Sequence, residues 1–122
     1  MITDVKKSVR SALLSNATLV SLLGGEHIYQ LVAPEAHGYP RITFFEVTNL
    51  DRYFADDRAY ASEVIIQIDV WSKESTSAIS GEVDRTMKEH GWGRTLATDQ
   101  YEKDVQVYHK SLRYRTVLLE TE

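Results

Sequence analysis

With 122 residues, 43% hydrophobic and 26% charged, the chain has the size and composition of one globular domain, 1–122, able to bury roughly two-thirds of its unfolded surface. A formal charge of -4 gives no global attraction to phosphate backbones, and two prolines and six glycines exclude a collagen-like or linker composition. The absence of cysteine excludes a disulfide framework and a thiolate zinc site and fits a reducing cytoplasm.

The basic residues of "MITDVKKSVRSALLS" interrupt its apolar ones, so neither export nor membrane insertion is expected. Val5, Val9, Ala12 and Leu13 recur at helical spacing, with Thr3 or Asp4 as N-cap and Lys6, Lys7 and Arg10 on the wet side. A second short helix starts at Asn16, turns Leu19, Leu22 and Leu23 inward and stops at Gly24-Gly25. An extended piece around Ile28 to Val32 leads into a turn-rich loop ending at Pro40. "RITFFEVTN" then reads as a strand, with Ile42, Phe44 and Glu46 on one face and Thr43, Phe45 and Val47 on the other. "LDRYFADDRAYA" is polar, lacks glycine and proline, and reads as a long loop.

The next strand, "SEVIIQIDVWSKE", has Val64, Ile66, Ile68 and Val70 on one face. Its other face mixes Glu63, Ile65, Gln67, Asp69 and Trp71. A face meant for water alone would not carry Ile65 and Trp71, so this row is expected to meet solvent, a neighbouring subunit, or both. After it the period lengthens to about 3.6 residues. Ile79, Val83 and Met87, with Ala78, Thr86 and His90, form an inward helical stripe capped by Ser72 or Ser75 and stopped at Gly91. Gly81 marks a close backbone contact or plain tolerance. Extended segments at 94–101 and 105–119 close the chain, and the change of phase between Val105, Val107 and Leu112, Tyr114, Leu118 suggests a bulge near His109 to Ser111. The fold class is α+β: a mainly antiparallel sheet with two N-terminal helices and one later helix packed on one face.

Catalytic and metal motifs are missing: there is no phosphate loop, no G-x-S-x-G and no H-E-x-x-H. His27, His37, His90 and His109 lack metal-ligand spacing and read as ordinary histidines. Asp56-Asp57 and the series Asp99, Glu102, Asp104 read as solvated turn charges, without the oxygen spacing of a cation site. No metal, cofactor or enzymatic activity is expected. Lys110, Arg113 and Arg115 give the last strand a basic row, suited to blocking unwanted pairing or meeting an acidic protein more than DNA. The aromatics Tyr53, Phe54 and Tyr60 flank the long loop, and Trp71, Trp92, Tyr101, Tyr108 and Tyr114 lie at or near strand ends.

The order of pieces resembles the tail-completion or tail-to-head joining proteins of long-tailed phages and prophages. "SALLSNATLVSLLGGEHIYQLVAPEA" resembles the family's opening, "VIIQIDVWSK" its central strand, and "DQYEKDVQVYHKSLRYR" its closing hairpin. The resemblance implies a tail terminator-like fold and a non-enzymatic structural virion protein. Such a protein caps the head-proximal end of the tail as a ring, hexameric in the family, and mediates head-tail joining. It implies contacts with further copies of itself, the tail tube protein and the head connector protein, with DNA passing through the lumen unbound. It also implies residence in the virion tail, after assembly in the host cytoplasm. On this reading Ile65, Gln67, Asp69 and Trp71 serve protomer or tail contacts, Tyr53, Phe54, Asp56, Asp57 and Arg58 the loop contact, and Arg113 and Arg115 an acidic neighbour. The alternative is a small dimeric α+β module that binds a ligand under the long loop without catalysis.

Overall fold

The computed structural model describes residues 2–34 and 38–119. His37 and the tip of the turn-rich loop lie outside them. The elements follow the expected order: α1 (Val5–Leu14), α2 (Ala17–Leu23), β1 (Ile28–Gln30), β2 (Arg41–Ala55), β3 (Arg58–Ser72), α3 (Ser77–Glu89), β4 (Gly93–Glu102) and β5 (Val107–Leu119). The strands form one sheet in the order β1-β2-β3-β5-β4, parallel only between β1 and β2. No helix among the described residues is long and apolar enough to cross a membrane.

The helical spacing of the first segment becomes α1, whose Val5, Val9, Ala12 and Leu13 are buried. Arg10 departs from the expected wet face, because its Nε donates to the Ile28 carbonyl at 3.0 Å and ties α1 to the edge strand β1. Asn16 caps α2, its Oδ1 accepting from the Leu19 amide at 3.0 Å, and its Nδ2 donates to Thr86 Oγ1 of α3 at 2.8 Å. One short polar side chain thus starts a helix and joins two. Gly24, at φ 75, closes α2 in the left-handed conformation that glycine adopts without a Cβ clash. Leu22, expected inward, is 39% exposed, because the seven-residue helix presents only Leu19 and Leu23 to the core.

Val64, Ile66, Ile68 and Val70 are fully buried under the three helices, together with Ile42, Phe44, Leu112 and Tyr114 from the flanking strands. The alternation of β3 therefore has its expected cause, a helix-covered face. In α3, Ile79, Val83, Thr86 and Met87 point inward, and Ser80 takes the place expected for Ala78 and His90, which are exposed. The α3 N-cap is Thr76, without a side-chain bond. Ser72 Oγ instead accepts from the Glu74 amide in the preceding loop, and Ser75 Oγ from the amide of Ser77, the first residue of α3. Space around Gly81 is open, which settles its place in α3 as tolerance.

Two expectations about strands are corrected. The segment read as a long loop is a β-hairpin: β2 and β3 pair from Arg41↔Trp71 to Ala55↔Arg58, across a two-residue turn at Asp56-Asp57. Both aspartates have positive φ, 52° and 61°, the combination that matches a tight turn to the twist of its strands. The bulge expected near His109 to Ser111 is absent, since β3 and β5 pair without interruption from Ala61↔Leu119 to Ser72↔Tyr108. Bulges lie instead between Glu46 and Thr48 in β2 and between Arg94 and Leu96 in β4. The change of phase in β5 arises because both of its faces are buried around His109 to Leu112, one against helices and one against polar partners.

Candidate protein-protein interface

The sheet face turned away from the helices is built by cross-strand register. Asp69 of β3 lies between Thr43 of β2 and Ser111 of β5. Trp71 lies between Arg41 and His109, and Gln67 between Phe45 and Arg113. These pairs are side-chain neighbours on one surface.

At its centre is a closed polar cluster. Asp69 is 5% exposed and His109 9%. His109 Nε2 lies 2.8 Å from Asp69 Oδ1, and its Nδ1 lies 3.2 Å from Glu102 Oε1. Ser111 Oγ donates to Asp69 Oδ1 at 2.7 Å, and Gln67 Nε2 donates to both Asp69 oxygens at 3.1 and 3.3 Å. Burial pushes the Asp69 carboxyl up, but the hydrogen bonds from His109, Ser111 and Gln67 outweigh it and hold the group below its ordinary value. Burial likewise opposes the charge on His109, while Asp69 and Glu102 outweigh it and raise the imidazole above its ordinary value. The arrangement favours the protonated ring, whose two N–H groups both meet carboxylates. Trp71 stacks on this ring, centroids 3.7 Å apart and planes 15° from parallel, and its Nε1 donates to Thr43 Oγ1 at 2.9 Å.

A serine, a histidine and an acid meet here, all three buried. Nε2 directs its proton at Asp69, and Ser111, 3% exposed, gives its own proton to the same carboxylate. The Ser111 hydroxyl also lies 3.2 Å from His109 Nε2. Among the described residues no group of histidines and carboxylates could hold a metal ion.

Around the cluster the predicted residues divide. Gln67 and Asp69 are engaged within the chain, while Ile65 and Trp71 are half-buried on the open face. Arg115 pairs with Glu63 of its own chain, Nε to Oε2 at 3.0 Å, with the Tyr53 phenol also in reach. Arg113 Nη2 donates to Gln67 Oε1 at 2.7 Å, and its Nε is buried without a hydrogen-bond partner among the described residues. Asp99 and Glu102, expected as free turn charges, are strand residues paired with Lys110 and His109. Strand register supplies these partners, and no local sequence pattern announces them.

The residues from 51 to 58 form the end of the β2–β3 ribbon, which projects beyond the last pair that β3 makes with β5, Ala61↔Leu119, and all are exposed. On this arm Tyr53 is 50%, Phe54 64% and Tyr60 46% exposed, and the Tyr53 and Tyr60 rings lie 6.2 Å apart. At the opposite end of the sheet, the loop from β3 to α3 and the β4–β5 hairpin enclose a groove of about 660 Å³, whose lining includes Lys73, Ser75, Tyr108 and His109. Tyr108 and its neighbour Tyr101 were legible as aromatics, but the groove depends on the loop's position and was not.

The comparisons with known proteins agree with this geometry. The chain is similar in structure to a chain in the virion of a native gene transfer agent particle, with a TM-score of 0.71, 14% identity and coverage of 95% of both chains. It is similar to the gp17 protein of bacteriophage SPP1, with a TM-score of 0.54 and 13% identity over 93% of this chain and 88% of that one. No curated protein matches the sequence. The sequence profile of the family Tail completion protein gp17 matches residues 7–119. The chain therefore belongs to the tail completion protein gp17 family, and its role is structural, in completing a phage tail where it joins the head.

Proposed function

We propose that this protein caps the head-proximal end of the tail as a closed ring of identical copies, hexameric, and carries no catalytic activity. One rim meets the tail tube protein and the other the head connector protein. The observation that carries the ring is the projecting arm: exposed aromatics held in water beside an acidic turn on a narrow ribbon offer a surface for another molecule. A ring protomer needs two different lateral surfaces, and the arm and the open sheet face are distinct in place and chemistry.

In this reading Ile65 and Trp71 supply apolar contact, Gln67 and Asp69 hold the face rigid from beneath, and Arg113 offers its guanidinium to an acidic neighbour. Tyr53, Phe54, Asp56, Asp57 and Arg58 make the arm contact. The net charge of -4 suits a ring whose lumen passes DNA without retaining it, because carboxylates repel phosphate. The protein then works in the virion tail after assembling in the host cytoplasm.

The test adds purified protein to tails from a lysate lacking it, with filled heads present, and counts joined particles by electron microscopy. Sedimentation velocity of the protein alone and of tail-bound complexes gives the copy number. Restored joining with six copies on each tail is expected. Efficient joining without the protein, or a single copy per tail, would overturn the reading.

A further inference from the structure

The geometry points to an arm-in-groove contact between two copies of this chain: Phe54 and the acidic Asp56-Asp57 turn of one copy seat in the groove beside Lys73 of the next. This deepens the proposed ring by naming the surfaces that join its protomers.

The arm presents an anchor. Phe54 is 64% exposed, next to a turn that carries two adjacent carboxylates. Tyr53 and Tyr60 contact each other, and Tyr53 is also in reach of Arg115, which leaves Phe54 as the aromatic that faces outward alone at the tip. Isolated aromatics of this kind carry much of the energy of protein contacts when a pocket receives them.

The groove matches that anchor in size. Its volume of about 660 Å³ falls within the range of about 300–1,000 Å³ that accepts a ligand-sized group, enough for a phenyl ring and a turn. Tyr108, 50% exposed, forms an aromatic wall. Lys73 supplies a cation on the groove, with a ring contact of 6.0 Å to Tyr39, and the first turn of α3 at Ser77 adds the positive end of a helix dipole. Both favour the carboxylates of Asp56 and Asp57, while Asp99 on the same lining is balanced by Lys110 at 3.1 Å. Glu74, also on the groove, offsets part of that positive charge and suits Arg58, which follows the turn.

Placement makes the occupant a second copy. The arm extends from the first residues of β3 and the groove opens at its last. Fifteen residues separate these ends by roughly 50 Å at about 3.3 Å per residue. One chain cannot fill its own groove. A contact between different surfaces at opposite ends of the subunit is head-to-tail, the type that closes into a ring or grows into a filament.

The chain has no cysteine, so a pair of introduced thiols reports on this contact alone. Ala55→Cys, which keeps the Phe54 anchor, and Ser75→Cys are made as separate proteins, both at exposed positions, then mixed, alone and on tails, and treated with a short bis-maleimide. Covalent dimers that require both variants are expected, at least tenfold above a control pairing of Ala55→Cys with Ser11→Cys, an exposed position of α1. A yield equal to the control overturns the contact. If six copies still bind each tail in those samples, the ring stands and the arm seats elsewhere. If no assembly forms on tails either, both readings fall. In a second measurement, Lys73→Glu weakens association at least tenfold, and mixing it with Asp56→Lys/Asp57→Lys protein restores linkage across the mixed interface. Absence of that restoration removes the charge pairing from the contact.

Discussion

Asp69 Oδ1 and His109 Nε2 lie 2.8 Å apart on adjacent strands, forty residues apart in sequence, and both side chains are about nine-tenths buried. Because the folded-state pKa of His109 is raised, its contribution to stability is complete below the ordinary value of 6.5 and is lost as pH rises through the raised value. Asp69 acts in the opposite sense: its folded-state pKa is lowered, so its contribution is present above 3.8 and is lost as pH falls through the lowered value. Denaturant midpoints should therefore plateau between these two limits and decline above the upper one. His109→Ala leaves the Asp69 carboxylate buried without its cation, and should cost about 3–5 kcal/mol at pH 6. The cost should shrink at pH 9. Equal costs at the two pH values would show that the ring is neutral in the fold.

A second buried polar link joins helix to sheet. The Tyr114 hydroxyl donates to Asp84 Oδ1 at 2.8 Å from a fully buried ring, and Lys88 Nζ holds the other carboxylate oxygen at 2.7 Å. Burial, then the bond to Asp84, pushes the Tyr114 phenol far above the ordinary value of 10.0. Its contribution is thus present below pH 10 and lost only under strongly alkaline conditions. Tyr114→Phe should cost about 1.5 kcal/mol, the lower end for a bond to a charged group, because Asp84 keeps Lys88 and partial access to water. In an alkaline absorbance titration, one of the seven tyrosines should ionise only as the protein unfolds, and that step should vanish in the variant.

How far the sequence reveals this molecule depends on which contacts are local. The helices and the inward row of β3 were legible because each buries one face, and burial on one face writes a period into the sequence. The arm was not. From residue 51 to 58 both faces meet water, so "LDRYFADDRAYA" has little alternation to read, and Asp56-Asp57 replaces the glycine that usually marks so tight a turn. The polar cluster was half legible. Asp69 and Trp71 stood out on an otherwise apolar strand, but His109, Ser111 and Glu102 join them only through the β3–β5 and β4–β5 registers. The same cluster explains the misread bulge, since a buried histidine and serine imitate a change of face.

The glycines of the helical layer give a paired prediction. Gly81 lies on the exposed side of α3 with open space where a Cβ would stand, so Gly81→Ala should stabilise by about 0.5–1 kcal/mol through helix propensity. Gly24 has equally open space, but its φ of 75° strains any residue with a Cβ. Gly24→Ala should therefore destabilise by about 1 kcal/mol. Thermal melts of the two variants should shift in opposite directions. Shifts of the same sign would mean that space, and not backbone conformation, governs the α2 cap.

The strongest separation of folding from assembly lies in two apolar truncations. Ile66 is fully buried beneath the helices, and Ile66→Ala removes its packing and leaves a cavity, at a cost of about 2–5 kcal/mol. Phe54 is 64% exposed on an arm that contributes nothing to the helix-covered core, so Phe54→Ala should move stability by no more than about 0.5 kcal/mol. Assembly should respond in the reverse order. Phe54→Ala should weaken the association of copies at least tenfold and reduce head-tail joining at unchanged thermal stability, because an anchor that fills a pocket is worth well over 1 kcal/mol in binding. Ile66→Ala should assemble normally at temperatures below its lowered melting point. Measuring melting and association on the same samples checks both halves. If Phe54→Ala melts early and associates normally, the arm packs on its own subunit and the contact between copies lies on the sheet face around Ile65 and Trp71.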